Sequence, residues 1–376
     1  MDEKIVITAT TVKKGDELTA DQAMKLAIDV AIGGAPFVSP NPLVGCTVVD
    51  REHRFLAFGF HHKYGEHHAE VDALLKLTND ELKNSTFYVT LEPCAHRGKT
   101  GSCAQRLALL PVDKVIFGLI DPNPLVAGQG AEILKSAGKK VFEYQGPLKN
   151  ELNELCEVFL KNQIQKKVFV AAKVATSLDG QIALKSGESK WITSNASRNY
   201  VHELRSYYDA VLVGRRTIEI DNPSLNIRHE NIQKNTALII LDPHSTLLQK
   251  INLGKDFKFL SCHRTEKVFF AVHEKIESNY QQIVFSDLQN LLELIWQQGL
   301  RSVFVEGGAA TVSSFLSLGL LDRLYLFMAP VIIGAGNGLA WTQNYQISSL
   351  DSKICLRNVK SRRFGDDFLI TGHFQS

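Results

Sequence analysis

Short apolar runs with strand character alternate with segments of helical periodicity along most of this chain. Residues 86–91 (Thr-Phe-Tyr-Val-Thr-Leu) are one such run, and residues 70–77 before them have helical spacing. Strands that alternate with helices usually assemble into a sheet whose faces the helices cover. The alternation therefore predicts an α/β fold.

The first half carries this pattern from residue 19 onward. We predict helices at 19–33, 70–77 and 130–137 and strands at 44–49, 55–60, 86–91 and 115–120, the first two strands being paired through the polar turn 50–53. A longer helix with charged faces is predicted at 147–166, and the junction between two domains near its end. The chain length suits two domains, which we place at 19–164 and 165–376.

The second half begins with a new apolar strand at Val168. Further strands are predicted at 210–214, 237–241, 268–272, 302–305 and 324–333, and helices from Ser197 and at 287–298. This pattern indicates a second α/β domain.

Charge and cysteine content limit the functional classes. A formal net charge of +2 argues against sequence-blind nucleic-acid binding, which needs many clustered cations. No apolar stretch is long enough to span a membrane, and the start lacks the pattern of a signal peptide. Six scattered cysteines fit a reducing compartment better than a disulfide framework. We expect a cytoplasmic protein without nucleic-acid or membrane partners.

One histidine and two cysteines form a candidate metal site. His68 opens a predicted helix, Cys94 follows the strand at 86–91, and Cys103 comes nine positions later. Three such ligands leave the fourth tetrahedral position of zinc open for water, which is typical of a catalytic site. Three isolated residues of these types are more often packing residues, but Glu70 and the Glu92-Pro93-Cys94 turn favour the metal site.

Glu70 lies two positions after His68 and is the candidate catalytic residue. We expect it to take a proton from the zinc-bound water and deliver it to a departing amine. Zinc deaminases carry His-x-Glu followed by Pro-Cys-x-x-Cys, whereas eight residues separate the cysteines here. His61, His62 and His67 crowd the same region, but only His68 has the right register with Glu70.

The sequence at 93–103, Pro-Cys-Ala-His-Arg-Gly-Lys-Thr-Gly-Ser-Cys, resembles the bifunctional riboflavin-biosynthesis deaminase/reductases. Further matching motifs lie in both halves, at 40–46, 121–124, 177–180, 187–193, 221–223 and 305–308. The resemblance extends from about residue 21 to the C-terminus. It implies a cytidine-deaminase-like three-layer α/β/α domain followed by a dihydrofolate-reductase-like α/β domain.

The resemblance implies two consecutive reactions. The first domain, with one zinc ion per chain, would use zinc-bound hydroxide to deaminate 2,5-diamino-6-ribosylamino-4(3H)-pyrimidinone 5′-phosphate. The second would use NADPH to reduce the ribosyl group, giving 5-amino-6-ribitylamino-uracil 5′-phosphate. The expected partner is thus a small pyrimidine ribosyl phosphate, and we expect a homo-oligomer, either a dimer or a tetramer.

The resemblance also implies further site residues. Asn41 suits the edge of the base, and His96, Lys99 and Thr100 suit the ribose phosphate, although the last three residues can equally serve only to shape their loop. The reductase substrate residues would be Ser189, Arg205, Leu225, Arg228 and Glu306. The NADPH residues would be Ala175, Trp191, Thr217, Asp221, Gly308, Ala309, Ala310, Thr311, Val312, Ser313 and Ser314.

The residues themselves support this reductase assignment less strongly. A strand at 303–305 runs into a Gly-Gly turn and a helix start, where free N–H groups suit a phosphate. Such a turn is by itself a weak signal. Trp191 can equally belong to the core, and Arg205 can be an ion-pair partner on its helix.

The sequence departs from the family pattern at two places. Residues 100–103 read Thr-Gly-Ser-Cys where Thr-Pro-Pro-Cys is usual, and two arginines, Arg215 and Arg216, stand where small residues are common. The arginines leave the contact with the cofactor phosphate in doubt.

Two other functions remain open, a deaminase of nucleic-acid bases and a zinc protein without turnover. The low net charge and the long spacer between the cysteines argue against the first, and Glu70 argues against the second.

Overall fold

The computed structural model describes residues 10–95, 101–123 and 126–375. The chain divides into two compact units, Met1–Lys166 and Lys167–Ser376. Among the described residues, every helix is too short or too polar to cross a membrane.

The first unit combines a mixed sheet with short helices. The helices are α1 Ala20–Ala31, α2 Ala69–Leu74, α3 Asn79–Leu82, α4 Cys103–Ala108, α5 Gln129–Ser136, α6 Lys149–Leu155 and α7 Glu157–Gln165. The strands are β1 Gly45–Val49, β2 Phe55–Phe60, β3 Thr86–Leu91, β4 Lys114–Leu119 and β5 Lys140–Glu143, in the sheet order β2-β1-β3-β4-β5. β1 is antiparallel to β2 and β3, and β3, β4 and β5 are parallel.

Two apolar layers enclose this sheet. β1 and β3 are buried along their whole length, which fits strands covered on both faces. Side chains of α1 and α6 pack on one face, and those of α2, α4 and α5 pack on the other. Thr19 begins α1 with a capping box, since its Oγ1 accepts from Gln22 N while the Gln22 side chain accepts from Thr19 N. The unit is therefore a three-layer α/β/α sandwich.

The second unit is built on a larger sheet. The strands are β6 Phe169–Ser177, β7 Gln181–Leu184, β8 Ala210–Gly214, β9 Ala237–Leu241, β10 Val268–Val272, β11 Gln281–Val284, β12 Ser302–Val305, β13 Arg323–Ala329, β14 Gly338–Ala340, β15 Leu356–Phe364 and β16 Asp367–Phe374. The helices are α8 Asn195–Tyr207, α9 Arg215–Asp221, α10 Thr246–Asn252, α11 Lys258–Cys262, α12 Leu288–Gln297 and α13 Ala309–Ser317.

This sheet is parallel in its centre and antiparallel at one edge. Its order is β11-β10-β9-β8-β12-β6-β13-β16-β15, and β7 pairs separately with β14. The strands from β11 to β13 are parallel, whereas β16 runs antiparallel to β13 and β15. The strands β8, β12 and β6 lie next to one another, so the residues that follow β8 and β12 meet at one edge of the sheet.

The predicted α/β fold is confirmed in both units, with two local corrections. The helix expected at 147–166 is interrupted at Cys156, whose backbone (φ −99°, ψ 7°) ends α6 before α7 begins, while its side chain is buried. The strand expected at 324–333 ends at Ala329, because Pro330 has no N–H to donate to a neighbouring strand.

Candidate catalytic sites

Three local structures bring the predicted zinc ligands together. His68 is the N-cap residue of α2, directly before Ala69, and Cys103 is the first residue of α4. Cys94 lies in the turn after β3. The Ser102 hydroxyl joins these elements, because it donates to the Cys94 carbonyl (2.8 Å) and accepts from Gln105 N in the first turn of α4.

The ligand atoms have the spacing of a tetrahedral zinc site. His68 Nδ1 lies 3.6 Å from Cys94 Sγ and 3.4 Å from Cys103 Sγ. Zinc–sulfur and zinc–nitrogen bonds of ordinary length at a tetrahedral angle place such atoms roughly 3.5 Å apart. Within the described part of the chain, these three side chains form the group close enough to share a metal ion. The residues therefore fit zinc in both chemistry and distance.

The two thiols differ in acidity. Hydrogen bonding from Cys103 lowers the pKa of Cys94, with His68 also lowering it, whereas the hydrogen bond to Cys94 and burial raise the pKa of Cys103. The hydrogen bond to Cys94 also raises the pKa of His68. The cluster thus holds protons that a metal ion would displace.

The Glu70 carboxyl is buried beside this cluster. Burial is the largest influence on it and, together with the negative charge of Cys94, raises the pKa of Glu70 to about 7. A group that titrates near neutral pH can both accept and release a proton during turnover. Glu70 is therefore suited to proton transfer at this site.

The turn that carries Cys94 is anchored through its neighbour Glu92. The buried Glu92 carboxylate accepts hydrogen bonds from the backbone N–H groups of Asp121 (3.3 Å), Gly128 (2.9 Å) and Ala131 (3.1 Å). Gly130 packs so closely that a Cβ there would lie 1.9 Å from the Pro93 carbonyl oxygen. The start of α5 consequently fixes the position of the Glu92-Pro93-Cys94 turn.

His61 orients Asn41 next to the cluster. The His61 ring meets the His68 ring edge to face, with centroids 5.2 Å apart. His61 Nδ1 lies 2.9 Å from the His67 carbonyl, so Nδ1 carries the proton and Nε2 accepts from Asn41 Nδ2 at 3.0 Å. This contact leaves the Asn41 oxygen as the amide's outward acceptor. His62 lies instead against Asp72, 3.2 Å from its Oδ2.

In the second unit, the Gly-Gly turn after β12 lies against α9. Gly308 is the N-cap residue of α13, and its backbone N donates to the Thr217 hydroxyl at 3.2 Å. A Cβ on Gly307 would lie 2.6 Å from Thr311 Cβ, so only glycine fits there without a shift. Because the first N–H groups of a helix have no partner within it, such a junction suits an anion site.

A buried charged cluster lies beside this turn. Arg205 of α8 donates to both carboxylate oxygens of Glu306, through Nε and through Nη2 (2.9 Å). Burial acts to raise the pKa of Glu306, but the charge and hydrogen bonds of Arg205, with Lys173, leave that pKa lowered. Burial lowers the pKa of Lys173, against the opposing charge of Glu306.

The remaining predicted reductase residues differ in their contacts and in their exposure. Ser189 and Asp221 are brought together, with the hydroxyl donating to Oδ1 at 3.1 Å. Trp191 is 72% exposed beneath the Arg198 guanidinium and is not a core residue. Leu225 is buried in the core at a φ of +56°, which leaves its backbone rather than its side chain for a ligand.

Within α13, burial restricts how a cofactor could be contacted. Val312 and Ser313 are buried, and the hydroxyls of Ser313 and Ser314 donate to carbonyls one turn earlier. Ala309 is buried, whereas Ala310 is exposed in the first turn. Ala175 lies on β6, paired with Phe327 of β13. His96, Lys99 and Thr100 lie outside the described residues.

Sequence reasoning missed two members of the second site. Lys173 is the one charged residue in strand β6, and that interruption of an apolar run was the available signal. His202 contacts both Arg205 and Arg228, and it lies three positions before Arg205 on the same helix face. The residues next to His202 in the sequence gave no comparable signal.

Comparison with known proteins gives matches for both units. Residues 18–119 match the family described as cytidine and deoxycytidylate deaminase zinc-binding region, and residues 168–370 match the RibD C-terminal domain. The riboflavin biosynthesis protein RibD of Aquifex aeolicus is 35% identical over 349 residues, 92% of this chain and 96% of that protein. RibD of Bacillus amyloliquefaciens is 36% identical over 356 residues, 93% of this chain and 94% of that protein.

A solved structure agrees over nearly the whole chain. The Thermotoga maritima diaminohydroxyphosphoribosylaminopyrimidine deaminase/5-amino-6-(5-phosphoribosylamino)uracil reductase has a TM-score of 0.81 and 34% identity. The match covers 94% of this chain and 98% of that chain. The resemblance drawn from the motifs is thereby confirmed.

Proposed function

Since this chain belongs to the RibD family, the bifunctional deaminase/reductases of riboflavin biosynthesis, we propose which substrate and residues serve each reaction. The first reaction is deamination of 2,5-diamino-6-ribosylamino-4(3H)-pyrimidinone 5′-phosphate. The second is reduction of the ribosyl group by NADPH, giving 5-amino-6-ribitylamino-uracil 5′-phosphate. We assign them to domains at 19–164 and 165–376. The observation that carries the proposal is the meeting of His68, Cys94 and Cys103 beside the buried carboxyl of Glu70.

The deaminase site would hold one zinc ion per chain through His68, Cys94 and Cys103. When bound, zinc supplies the Lewis acid that makes water a nucleophile near neutral pH. Glu70 takes a proton from the attacking water and delivers it to the leaving amine. The burial of this carboxyl beside the three ligands supports the role.

Asn41 would read the edge of the pyrimidine. Its Nδ2 is engaged by His61, so its Oδ1 is the group that remains to accept a hydrogen bond from a ring N–H. His61 is itself oriented by the His67 carbonyl. This arrangement leaves Oδ1 to accept and the second Nδ2 hydrogen to donate at the edge of the base.

The reductase site would bind NADPH at the turn before α13 and the sugar near the charged cluster. Backbone N–H groups at the start of α13, with Thr217 supporting Gly308, suit the cofactor phosphates. Arg205 is already paired with Glu306, which leaves Arg228 as the cation for the substrate phosphate. NADPH supplies the hydride, and Lys173 is the candidate source of the proton that the reduction also consumes.

Assembly, location and partners remain predictions. We expect a homo-oligomer, dimer or tetramer, that acts in the cytoplasm on small molecules and not on nucleic acid. Light scattering after size-exclusion chromatography and cell fractionation test the first two expectations.

The deciding experiment is an anaerobic assay of purified, zinc-quantified protein with the diamino-pyrimidine ribosyl phosphate. We expect ammonia release with and without NADPH, and NADPH oxidation only after deamination. Absence of ammonia release from protein that holds about one zinc per chain would exclude this substrate. Parallel assays with other amino-pyrimidines and with an oligonucleotide would then distinguish a different small substrate from a nucleic-acid deaminase.

A further inference from the structure

His202 lies between the two arginines of the reductase site. Its Nε2 is 3.2 Å from Arg228 Nη2, and its Nδ1 is 3.3 Å from both Arg228 N and Arg205 Nη1. The side chain belongs to α8 and is buried. The imidazole therefore touches Arg228 at two points, the guanidinium and the backbone N–H.

The imidazole is neutral at physiological pH. Burial, followed by the charges of Arg205 and Arg228, lowers the pKa of His202 to about 4. A neutral imidazole has one acceptor nitrogen and one N–H. Nδ1 faces two donors, the Arg228 backbone N–H and Arg205 Nη1, so Nδ1 is the acceptor and Nε2 carries the proton. The imidazole therefore holds Arg228 at its backbone N–H, and its Nε2 edge lies against the guanidinium.

Arg228 needs such support because it projects from irregular chain. Residues 222–236, between α9 and β9, contain only an isolated bridge between His229 and Ile232. A long side chain on a loop loses considerable conformational freedom when it binds a ligand. Asn226 contributes a second contact, with its Oδ1 3.3 Å from Arg228 Nη1. A guanidinium already held in place loses less freedom on binding.

We propose that His202 is a positioning residue that holds Arg228 ready for the phosphate of the reductase substrate. The inference rests on the proposed function, in which Arg228 binds that phosphate. Arg205 is fixed independently by Glu306 and by the Asn226 carbonyl at 3.1 Å. Because Arg205 keeps these partners when its 3.3 Å contact with His202 Nδ1 is lost, the effect of His202 should pass mainly through Arg228.

The test uses the full-length zinc enzyme with the deaminated ribosylamino-uracil phosphate. We expect His202→Leu to raise the KM for this substrate about tenfold, the scale of one hydrogen bond to a charged group. The kcat should stay within about twofold, and the KM for NADPH and the ammonia release of the deaminase should not change. His202→Asn and His202→Gln each keep an amide oxygen that can accept from the Arg228 backbone N–H, so at least one of them should restore the low KM.

A double-mutant cycle separates positioning from packing. In an Arg228→Met background, His202→Leu should have no further effect on the KM. Additive effects, failure of both amide variants to restore the KM, or an equal fall in kcat would overturn the inference while leaving the proposed function intact. If His202→Leu does not fold, His202→Ala takes its place in the same cycle. A wild-type enzyme that does not oxidise NADPH with this substrate would overturn the proposed function and this inference together.

Discussion

Arg205 and Glu306 form a two-point ion pair whose side chains are only 12% and 7% exposed. The guanidinium comes from α8, and the carboxylate follows β12. Forked contacts of this kind are strong where water is excluded. The loss of one partner, however, leaves the other as a buried charge without its main compensation.

We expect Arg205→Met to lower the free energy of unfolding by about 3–5 kcal/mol at pH 7. In the wild type, the lowered pKa of Glu306 means that its stabilisation is complete above its unfolded pKa and is lost as pH falls through the folded pKa. In the variant, burial without Arg205 raises the pKa of Glu306 above its unfolded value. The free-energy penalty of the buried charge therefore disappears as pH falls and Glu306 takes up a proton. Urea denaturation at pH 7 and pH 4 measures the free energy of unfolding of wild type and variant. An equal difference between the two proteins at both pH values would contradict the prediction.

Cys103→Ser should abolish zinc retention and reduce ammonia release by more than roughly a hundredfold, because it removes one of three ligands. Elemental analysis and the ammonia assay measure the two effects. Cys355→Ser, at an exposed free cysteine, is the matched control and should retain both properties. Full zinc content in Cys103→Ser would mean that another group completes the site.

Glu70→Gln should reduce ammonia release by roughly 10²–10⁴-fold, the usual contribution of a positioned acid–base group. The amide keeps the shape of the buried side chain but cannot transfer the proton. Zinc content and NADPH oxidation with the deaminated substrate should remain at wild-type levels. Ammonia release within tenfold of wild type would remove Glu70 from the mechanism.

Lys173→Met should slow the reduction by roughly 10²-fold or more if Lys173 supplies the proton. Methionine preserves most of the side-chain volume inside β6, so folding should be kept. Single-turnover NADPH oxidation reports the step, and ammonia release is the internal control. An unchanged single-turnover rate would exclude Lys173 as the donor.

Two adjacent glycines should respond differently to alanine. Gly307→Ala brings a Cβ to 2.6 Å from Thr311 and should destabilise the fold by about 1–3 kcal/mol. At Gly308 the nearest atom would be Thr217 Oγ1 at 3.6 Å, so Gly308→Ala should fold normally. The added methyl group should nevertheless raise the Kd for NADPH about tenfold by obstructing the phosphate at the helix start. Fluorescence titration and thermal melts separate the two outcomes, and unchanged NADPH binding in Gly308→Ala would place the phosphate elsewhere.

The sequence predicted an element best where the local residue pattern matches the burial that the fold gives it. Apolar periodicity located the strand β3 to the residue, and the spacing of His68, Cys94 and Cys103 predicted a group that the structure brings together. The last two strands, β15 and β16, were missed, because Arg and Lys residues fill the exposed edge strand β15 and give it no apolar alternation.

Contacts between distant segments could not be derived from local pattern. The pairing of Arg205 with Glu306 joins positions 101 residues apart, and the role of Glu92 depends on backbone groups up to 39 residues later. His202 faces Arg228 across 26 residues. Such contacts follow from the sheet order, which brings α8 to the end of β12, and the sequence alone does not specify that order.

The central position of β6 has a consequence for biosynthesis. β6 is the first strand of the second unit to leave the ribosome, yet its neighbours β12 and β13 follow more than a hundred residues later. At ordinary elongation rates the nascent chain carries this unpaired apolar strand for roughly 7 to 27 s. During that interval chaperones have a defined segment to protect, whereas the first unit has all its strands once residue 143 has emerged.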